Sequence, residues 1–214
     1  LASSAASDVY KRQVRPGDIR YKDVNADGKI DDDDVVPIAH SNVPQIQYGF
    51  ALEYRYKRWT ISALFTGAAK VNFLYGGSGF YPFSGGEVGN ILSIVNDPKN
   101  RWTPAWYSGD PSTENPNARF PRLTYGENKN NNRASTFWLA DGSYLRWKSL
   151  DISYRIGTNK ALRTVGISDM NLQFVGQNLA VWDSVKLWDP GQASANGAAY
   201  PIQRTYSMQL SLNF

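Results

Sequence analysis

The chain has 214 residues, 42% of them hydrophobic, 14% aromatic and 20% charged, with a formal net charge of +4. So many aromatics with so little net charge exclude a disordered chain. The absence of Cys excludes a disulfide framework and thiolate metal sites, and a lone His40 excludes His triads and multi-His centres. No run approaches the ~18 consecutive apolar residues of a transmembrane helix. The basic residues read as scattered, without the stripe that nucleic-acid binding requires.

The opening "LASSAASDVYKRQ" (residues 1–13) has no apolar core and is not a signal peptide. It reads as a non-native leader, of the linker or adaptor kind, and is set aside. On that reading the chain proper begins at an arbitrary cut near Val14 and its parent is longer.

Residues 14–44 carry the sharpest local motif, "DVNADGKIDDDD". Asp23, Asn25 and Asp27 stand at positions 1, 3 and 5 of an EF-hand-type loop, with Gly28 at the sharp turn. Lys29 offers its carbonyl at position 7, Ile30 is the apolar anchor, Asp31 stands at position 9 and Asp34 at position 12. A hard cation wants six to eight oxygens, and twelve residues supply them. A structural calcium ion is the expected occupant; a solvated acidic turn is the alternative. Asp in place of Glu at position 12 resembles extracellular dockerin-type loops.

Alternation of period two then dominates. In "YGFALEYRY" Tyr48, Phe50, Leu52, Tyr54 and Tyr56 share one face. After a tight Lys57-Arg58 turn, Trp59, Ile61, Ala63 and Phe65 share a face of "WTISALFTG". In "LRWKSLDISYRI" Leu145 and Trp147 have one parity and Leu150, Ile152, Tyr154 and Ile156 the other, which predicts a β-bulge near Lys148-Ser149. "MNLQFVGQNL" alternates from Met170, and "KALRTVGI" before it predicts one or two helical turns. The last strand sets Tyr206, Met208, Leu210, Leu212 and Phe214 against Thr205, Ser207, Gln209, Ser211 and Asn213.

Such strands suit a bilayer-crossing barrel, whose strands need ~9–11 residues and carry aromatics near both interfaces. Tyr48, Tyr56, Trp59, Tyr144, Trp147 and Tyr206 lie near strand ends. A β-sandwich alternates too. Connection lengths favour the barrel: Lys57-Arg58 and 157–168 are short, whereas 14–44, 68–141 and 180–204 are long. Outer-membrane barrels pair short periplasmic turns with long extracellular loops. The bookkeeping closes if 68–141 hides an even number of strands.

Several blocks in order resemble the C-terminal end of the SusC/RagA family of TonB-linked outer-membrane transporters. They are "PGDIRYKDVNADGKIDDDDVVPI", "YGFALEYRYKRWTISALFTG", "RWTPAW", "NPNARFPRL", "STFWLADGSYLRWKSLDISYRI", "GQNLAVWDSVKLWDP" and "YPIQRTYSMQLSLNF". The resemblance implies an all-β fold: an antiparallel transmembrane β-barrel segment, about the last five or six of ~22 strands, with long extracellular loops. Residues 14–44 become an extracellular loop and 45–214 the C-terminal part of the barrel. It implies import of a glycan or peptide across a Gram-negative, Bacteroidetes-like outer membrane, with a SusD-like surface lipoprotein as lid. It further implies energy from TonB through a plug absent from these residues, and Phe214 as the signal read by the barrel-assembly machinery.

Trp102, Trp106, Trp182 and Trp188 lie in or beside the long segments, as do Tyr107, Phe120, Tyr125 and Trp138. They are candidates for substrate stacking or for contact with the lid. Asp110, Glu114, Asp141, Asp183 and Asp189 show no spacing that supports a glycosidase pair, and no catalytic residue is expected. A secreted calcium-binding β-sandwich that binds carbohydrate is the competing reading, and a glycan-active enzyme the third.

Overall fold

The computed structural model describes residues 14–84, 89–192 and 194–214. The leader reading of 1–13 lies outside them. The chain divides into two compact units.

The larger secondary structure belongs to the unit formed by His40–Phe73, Ala140–Ala193 and Ala199–Phe214. Its long strands are β1 (Ile46–Tyr56) and β2 (Trp59–Ala69), then, past the short β3 (Asn72–Leu74) and β4 (Leu139–Asp141), β5 (Tyr144–Arg155), β6 (Asp169–Asp183) and β7 (Thr205–Asn213). They form one five-stranded sheet in the order β1-β2-β5-β6-β7, while β3 and β4 pair only with each other. All four pairings of the large sheet are antiparallel. The segment between β2 and β5 therefore contains two short strands, the even number that the strand directions require.

Register makes the sheet two-faced. Phe50 sits opposite Phe65, and Phe65 opposite Trp147. Leu52 faces Ala63, Ala63 faces Leu150, and Leu150 faces Gly176, which faces Tyr206. Tyr54, Ile61, Ile152, Phe174 and Met208 form the next row. Every row of one face is apolar. The other face aligns Glu53, Ser62, Asp151, Val175 and Ser207, then Arg55, Thr60, Ser153, Gln173 and Gln209. Tyr144 pairs with Ala68 and so belongs to the polar parity, unlike the other aromatics named near strand ends.

The parity flip in β5 is a bulge. Leu64 pairs with Ser149 but Phe65 with Trp147, leaving Lys148 as the extra residue. The ladder with β6 shifts at the same place, between Trp147 and Ser149. Without that extra residue, Leu145 and Trp147 would fall on the polar face. Strand β6 runs to Asp183, four residues beyond the alternating stretch read from sequence, because Ala180, Val181, Trp182 and Asp183 pair with β5.

Aromatic stacking ties the apolar face together. The Phe50 and Phe65 rings lie 4.9 Å apart at 13°, and Phe65 and Trp147 5.7 Å apart at 18°, a ladder across three strands. Each such pair is worth about 0.5–1.5 kcal/mol beyond area burial. Trp59 meets Tyr154 at 4.6 Å beside the Lys57-Arg58 turn, where Lys57 takes φ +53. Tyr48 crosses Gly67 and donates its hydroxyl to the Tyr144 carbonyl at 3.0 Å. A Cβ on Gly67 would lie 2.4 Å from the Tyr48 ring and 2.5 Å from the Tyr144 carbonyl oxygen.

The edge strands leave their apolar face open among the described residues: every residue of β1 is exposed, as are all of β7 except Ser211. Leu52 is 60% and Met208 74% exposed. No helix among the described residues is long and apolar enough to cross a membrane.

The second unit, from the described residues of 1–39 with Leu74–Leu139 and Ser194–Ala198, is built mostly of irregular chain around its own core. Phe80, Val95, Phe120 and Trp138 are buried, with Trp138 2% exposed. Phe80 stacks on Tyr75 at 5.3 Å and meets Trp138 edge-on at 5.6 Å. Parts of the long connections 14–44, 68–141 and 180–204 are thus packed together in this unit.

Gly67→Val should cost about 1–3 kcal/mol, since neither the Tyr48 ring nor the β5 backbone has room to yield. Urea unfolding of the chain in detergent micelles, followed by far-UV circular dichroism, measures this. A variant as stable as the native chain would contradict the close approach.

Candidate functional site

Three candidate surfaces follow from the sequence: the acidic loop, the tryptophans of the long segments, and the two faces of the sheet.

The acidic loop is held in shape by its own carboxylates. Asp23 accepts the backbone N–H of Ala26 at 2.6 Å and of Gly28 at 2.8 Å. Asn25 accepts from the Asp27 amide at 3.0 Å, and Asp27 from the Lys29 amide at 2.8 Å. Asp34 closes the loop, accepting from Val24 at 2.6 Å and, on its other oxygen, from Asp31 at 3.1 Å. Asp31 in turn caps the short turn Asp32–Asp34 by accepting from Asp33. Gly28 takes φ +86, a value that L side chains rarely adopt. Ile30, the expected anchor, is buried at 3% exposure.

The oxygen chemistry of Asp23, Asn25, Asp27, Lys29, Asp31 and Asp34 suits a hard cation. The side chains, however, are turned onto backbone amides. Among the described residues no three His, Cys, Asp or Glu side chains converge as a metal-holding group.

The Val24 amide, above all, holds the Asp34 carboxyl below the ordinary aspartate value of 3.8. A carboxyl depressed on folding stabilises the loop above its unfolded value and loses that contribution as pH falls through its folded value. This contribution is therefore present at neutral pH and is lost only as pH falls below the ordinary aspartate value. The Val24 amide resonance should titrate with a midpoint below 3.8; a midpoint above it would contradict the Val24–Asp34 bond.

Just before the loop, Asp18 organises a buried polar knot. Its side chain accepts from Asn131 at 2.9 Å and Asn128 at 3.2 Å. Arg122 donates from Nη2 at 3.0 Å, with Nε 2.8 Å from the other oxygen. Asn131 also accepts the Ile19 amide, while its carbonyl takes the Trp138 indole N–H at 2.7 Å. Buried polar groups this densely paired specify one arrangement. Asp18→Ala, which strands Arg122 and two asparagines, should cost about 3 kcal/mol. Hydrogen exchange at the Ile19 amide and the Trp138 indole N–H reads the loss, and unchanged protection would refute it.

The tryptophans part company. Trp102 packs over Gly17, where a Cβ would lie 2.3 Å from the indole ring, so it serves the fold. Trp106, on the one-turn helix Ala105–Ser108, is 84% exposed and meets Tyr107 edge-on at 6.0 Å. Trp182 is half-exposed, opposite Leu145 on the apolar face of the sheet, and Trp188 is half-buried. Phe120 and Trp138 are core, and Tyr107 and Tyr125 are exposed. Of the four principal candidates, only Trp106 forms an open aromatic platform in its unit.

The carboxylates considered for glycosidic chemistry serve local structure. Asp110 caps a turn through the Ser112 amide, which holds its carboxyl below the ordinary value. Glu114 accepts from Ala105, Asp141 from Ser143 and Asp183 from Lys186. Asp189 pairs with Arg146, which is buried on the polar face, and accepts from Gly191. The Arg146 guanidinium also lies 5.4 Å from the Tyr144 ring. This pair, missed by sequence reading, anchors the 184–192 stretch onto the polar face; nothing in its spacing announces it.

Phe214 follows the last paired residue, Asn213, and is 83% exposed. Asn213 is pinned by Ser168, which donates its amide at 2.7 Å and its hydroxyl at 3.1 Å to the Asn213 carbonyl.

No family model matches the chain. It is similar to two TonB-dependent receptors of Formosa agariphila. One is 26% identical over 221 residues, covering 98% of this chain and 21% of the relative. The other is 24% identical over 213 residues, covering 93% and 19%. The fold matches solved structures of the RagAB peptide importer. Its open-open state gives a TM-score of 0.61 at 20% identity, over 91% of this chain and 20% of that one. Its closed-closed state gives 0.61 at 21% identity, over 88% and 20%.

The two-faced antiparallel sheet therefore has the fold of part of a β-barrel of the RagA kind. More particularly, the chain is SusC/RagA-like, as the sequence blocks imply, and it spans about a fifth of the length of these relatives.

Proposed function

We propose that this chain is the C-terminal barrel part of a TonB-dependent, SusC-like transporter that imports a glycan or peptide nutrient through the outer membrane. The observation that carries the reading is the register: five antiparallel strands align every apolar row on one face and the polar rows on the other. The apolar face is then the lipid-facing wall, and the polar face lines the lumen.

Dimensions support it. Eleven residues, the length of β1 and of β2, extend about 37 Å at ~3.4 Å per residue. A tilt near 45° reduces that to about 26 Å, close to the ~25 Å apolar band of such barrels. Hydrocarbon cannot satisfy the free N–H and C=O groups of edge strands β1 and β7, so further strands of the same barrel would complete both edges.

A SusD-like lipoprotein as lid and TonB engagement through a plug follow from the family resemblance. Trp106 and Tyr107 are the surface we assign to lid or substrate contact, because ring faces left open to water suit either. Phe214 is the residue we assign to recognition by the barrel-assembly machinery.

Fractionation of cells that make the protein tests the principal reading. It should accompany the detergent-resistant outer membrane. Recovery in the aqueous periplasmic fraction would overturn the barrel assignment and favour a secreted module.

The acidic loop suggests a structural calcium ion, held by Asp23, Asn25, Asp27, the Lys29 carbonyl, Asp31 through water, and Asp34. Support comes from the turns already formed around Asp23 and Gly28. Cation binding would require the carboxylates to swing from backbone amides toward one centre. Calorimetry on the whole chain in detergent should give a dissociation constant on the order of 10⁻⁴–10⁻³ M, lost in Asp23→Asn/Asp27→Asn. No calcium heat would leave the loop a self-bonded acidic turn.

A further inference from the structure

The sheet gathers charge that the sequence scatters. The Lys57-Arg58 turn, the end of β5, the 157–168 connection and the start of β6 lie together at one end of the sheet, because Trp59 pairs with Tyr154 and Arg155 with Asn171. Six basic side chains stand there, Arg55, Lys57, Arg58, Arg155, Lys160 and Arg163, against three acidic ones, Glu53, Asp151 in its row, and Asp169. The excess is three positive charges. All three acids are engaged there: Glu53 lies 2.5 Å from Arg55, Asp169 3.2 Å from Arg155, and Asp151 accepts from the Gln173 side-chain amide. Lys57, Arg58, Lys160 and Arg163 remain as exposed positive charge.

This cationic end borders the apolar face. Tyr54 and Tyr56 stack at 6.5 Å and Trp59 meets Tyr154 at 4.6 Å, an amphipathic aromatic band beside the turn. The Lys57 ammonium lies 5.1 Å from the Tyr56 ring, which places a cation at the margin of that face. Arg58 donates to the Ile156 carbonyl at 2.9 Å, tying the turn to the end of β5.

We propose that this rim binds the headgroups of anionic phospholipids, whose acyl chains lie along the apolar face above it. The inference rests on the lipid-facing reading and names the lipid. Charge complementarity selects the partner: a phosphodiester carrying net negative charge satisfies Lys and Arg donors at the level where aromatic rings meet the headgroups. A zwitterionic lipid offers the same acyl chains without the net charge.

The test holds the 214-residue chain in non-ionic detergent micelles doped with phosphatidylglycerol or phosphatidylcholine, and counts retained lipids by native mass spectrometry. Phosphatidylglycerol should be retained on the order of tenfold better at low salt, and less so as salt rises. Lys57→Gln/Lys160→Gln/Arg163→Gln, which spares the Arg58 hydrogen bond, should reduce it to the phosphatidylcholine level. Lys57→Arg/Lys160→Arg, which keeps the charge, should preserve the preference and controls for folding. Equal retention of the two lipids by the native chain, or an undiminished preference in the triple variant, overturns the proposal. Displacement by inorganic phosphate at matched ionic strength would show a free-anion site and overturn the lipid assignment. A chain that stays monodisperse without any detergent would instead overturn the lipid-facing reading, and this inference with it.

Discussion

Cross-strand register is the constraint on which the rest of the structure depends. A slip of one residue in any ladder would move that strand's apolar set to the polar face. The Lys57-Arg58 turn sets β1 against β2, and the bulge at Lys148 restores parity in β5. From there the β5–β6 and β6–β7 ladders carry the same division to the far edge. The stacked Phe50, Phe65 and Trp147 rings and the Tyr48 ring over Gly67 reward this register and no neighbouring one.

A sheet with one apolar face and two free edges does not complete itself in water. Its edge strands leave their apolar residues exposed, and among the described residues no strand pairs with the outer edges of β1 and β7. Lipid answers the first need, and neighbouring strands the second. On the function proposed above, a membrane-barrel wall meets both needs, whereas in a sandwich a second sheet would close the apolar face. The SusC/RagA-like character of the chain agrees with that physical account.

The irregular segments follow a different logic. They bury no continuous strand, so they are held by aromatic packing around Phe80 and Trp138 and by the polar knot at Asp18 and Asn131. Backbone groups that find no ladder partner are taken by Asp and Asn side chains, as at Asp23, Asp34, Asp97 and Asp110. The same residues that make the stretch look like a binding loop thus do the work of secondary structure.

The sequence by itself determined what is local. Period-two alternation located all five long strands, the parity change located the bulge at Lys148, and the Asn159-capped turn Lys160–Thr164 was legible between β5 and β6. It also marked Ile30 as an anchor, because the spacing of an acidic loop places one apolar residue inward. Tertiary structure decided what depends on residues far apart in the chain. Only the fold seats β5 beside β2 across a long insertion, pairs Arg146 with Asp189, turns Trp102 inward while leaving Trp106 open, and gathers basic side chains at one rim. Alternation reports which face a side chain takes along its own strand, whereas neighbours across strands are set by ladder register, which no single segment encodes.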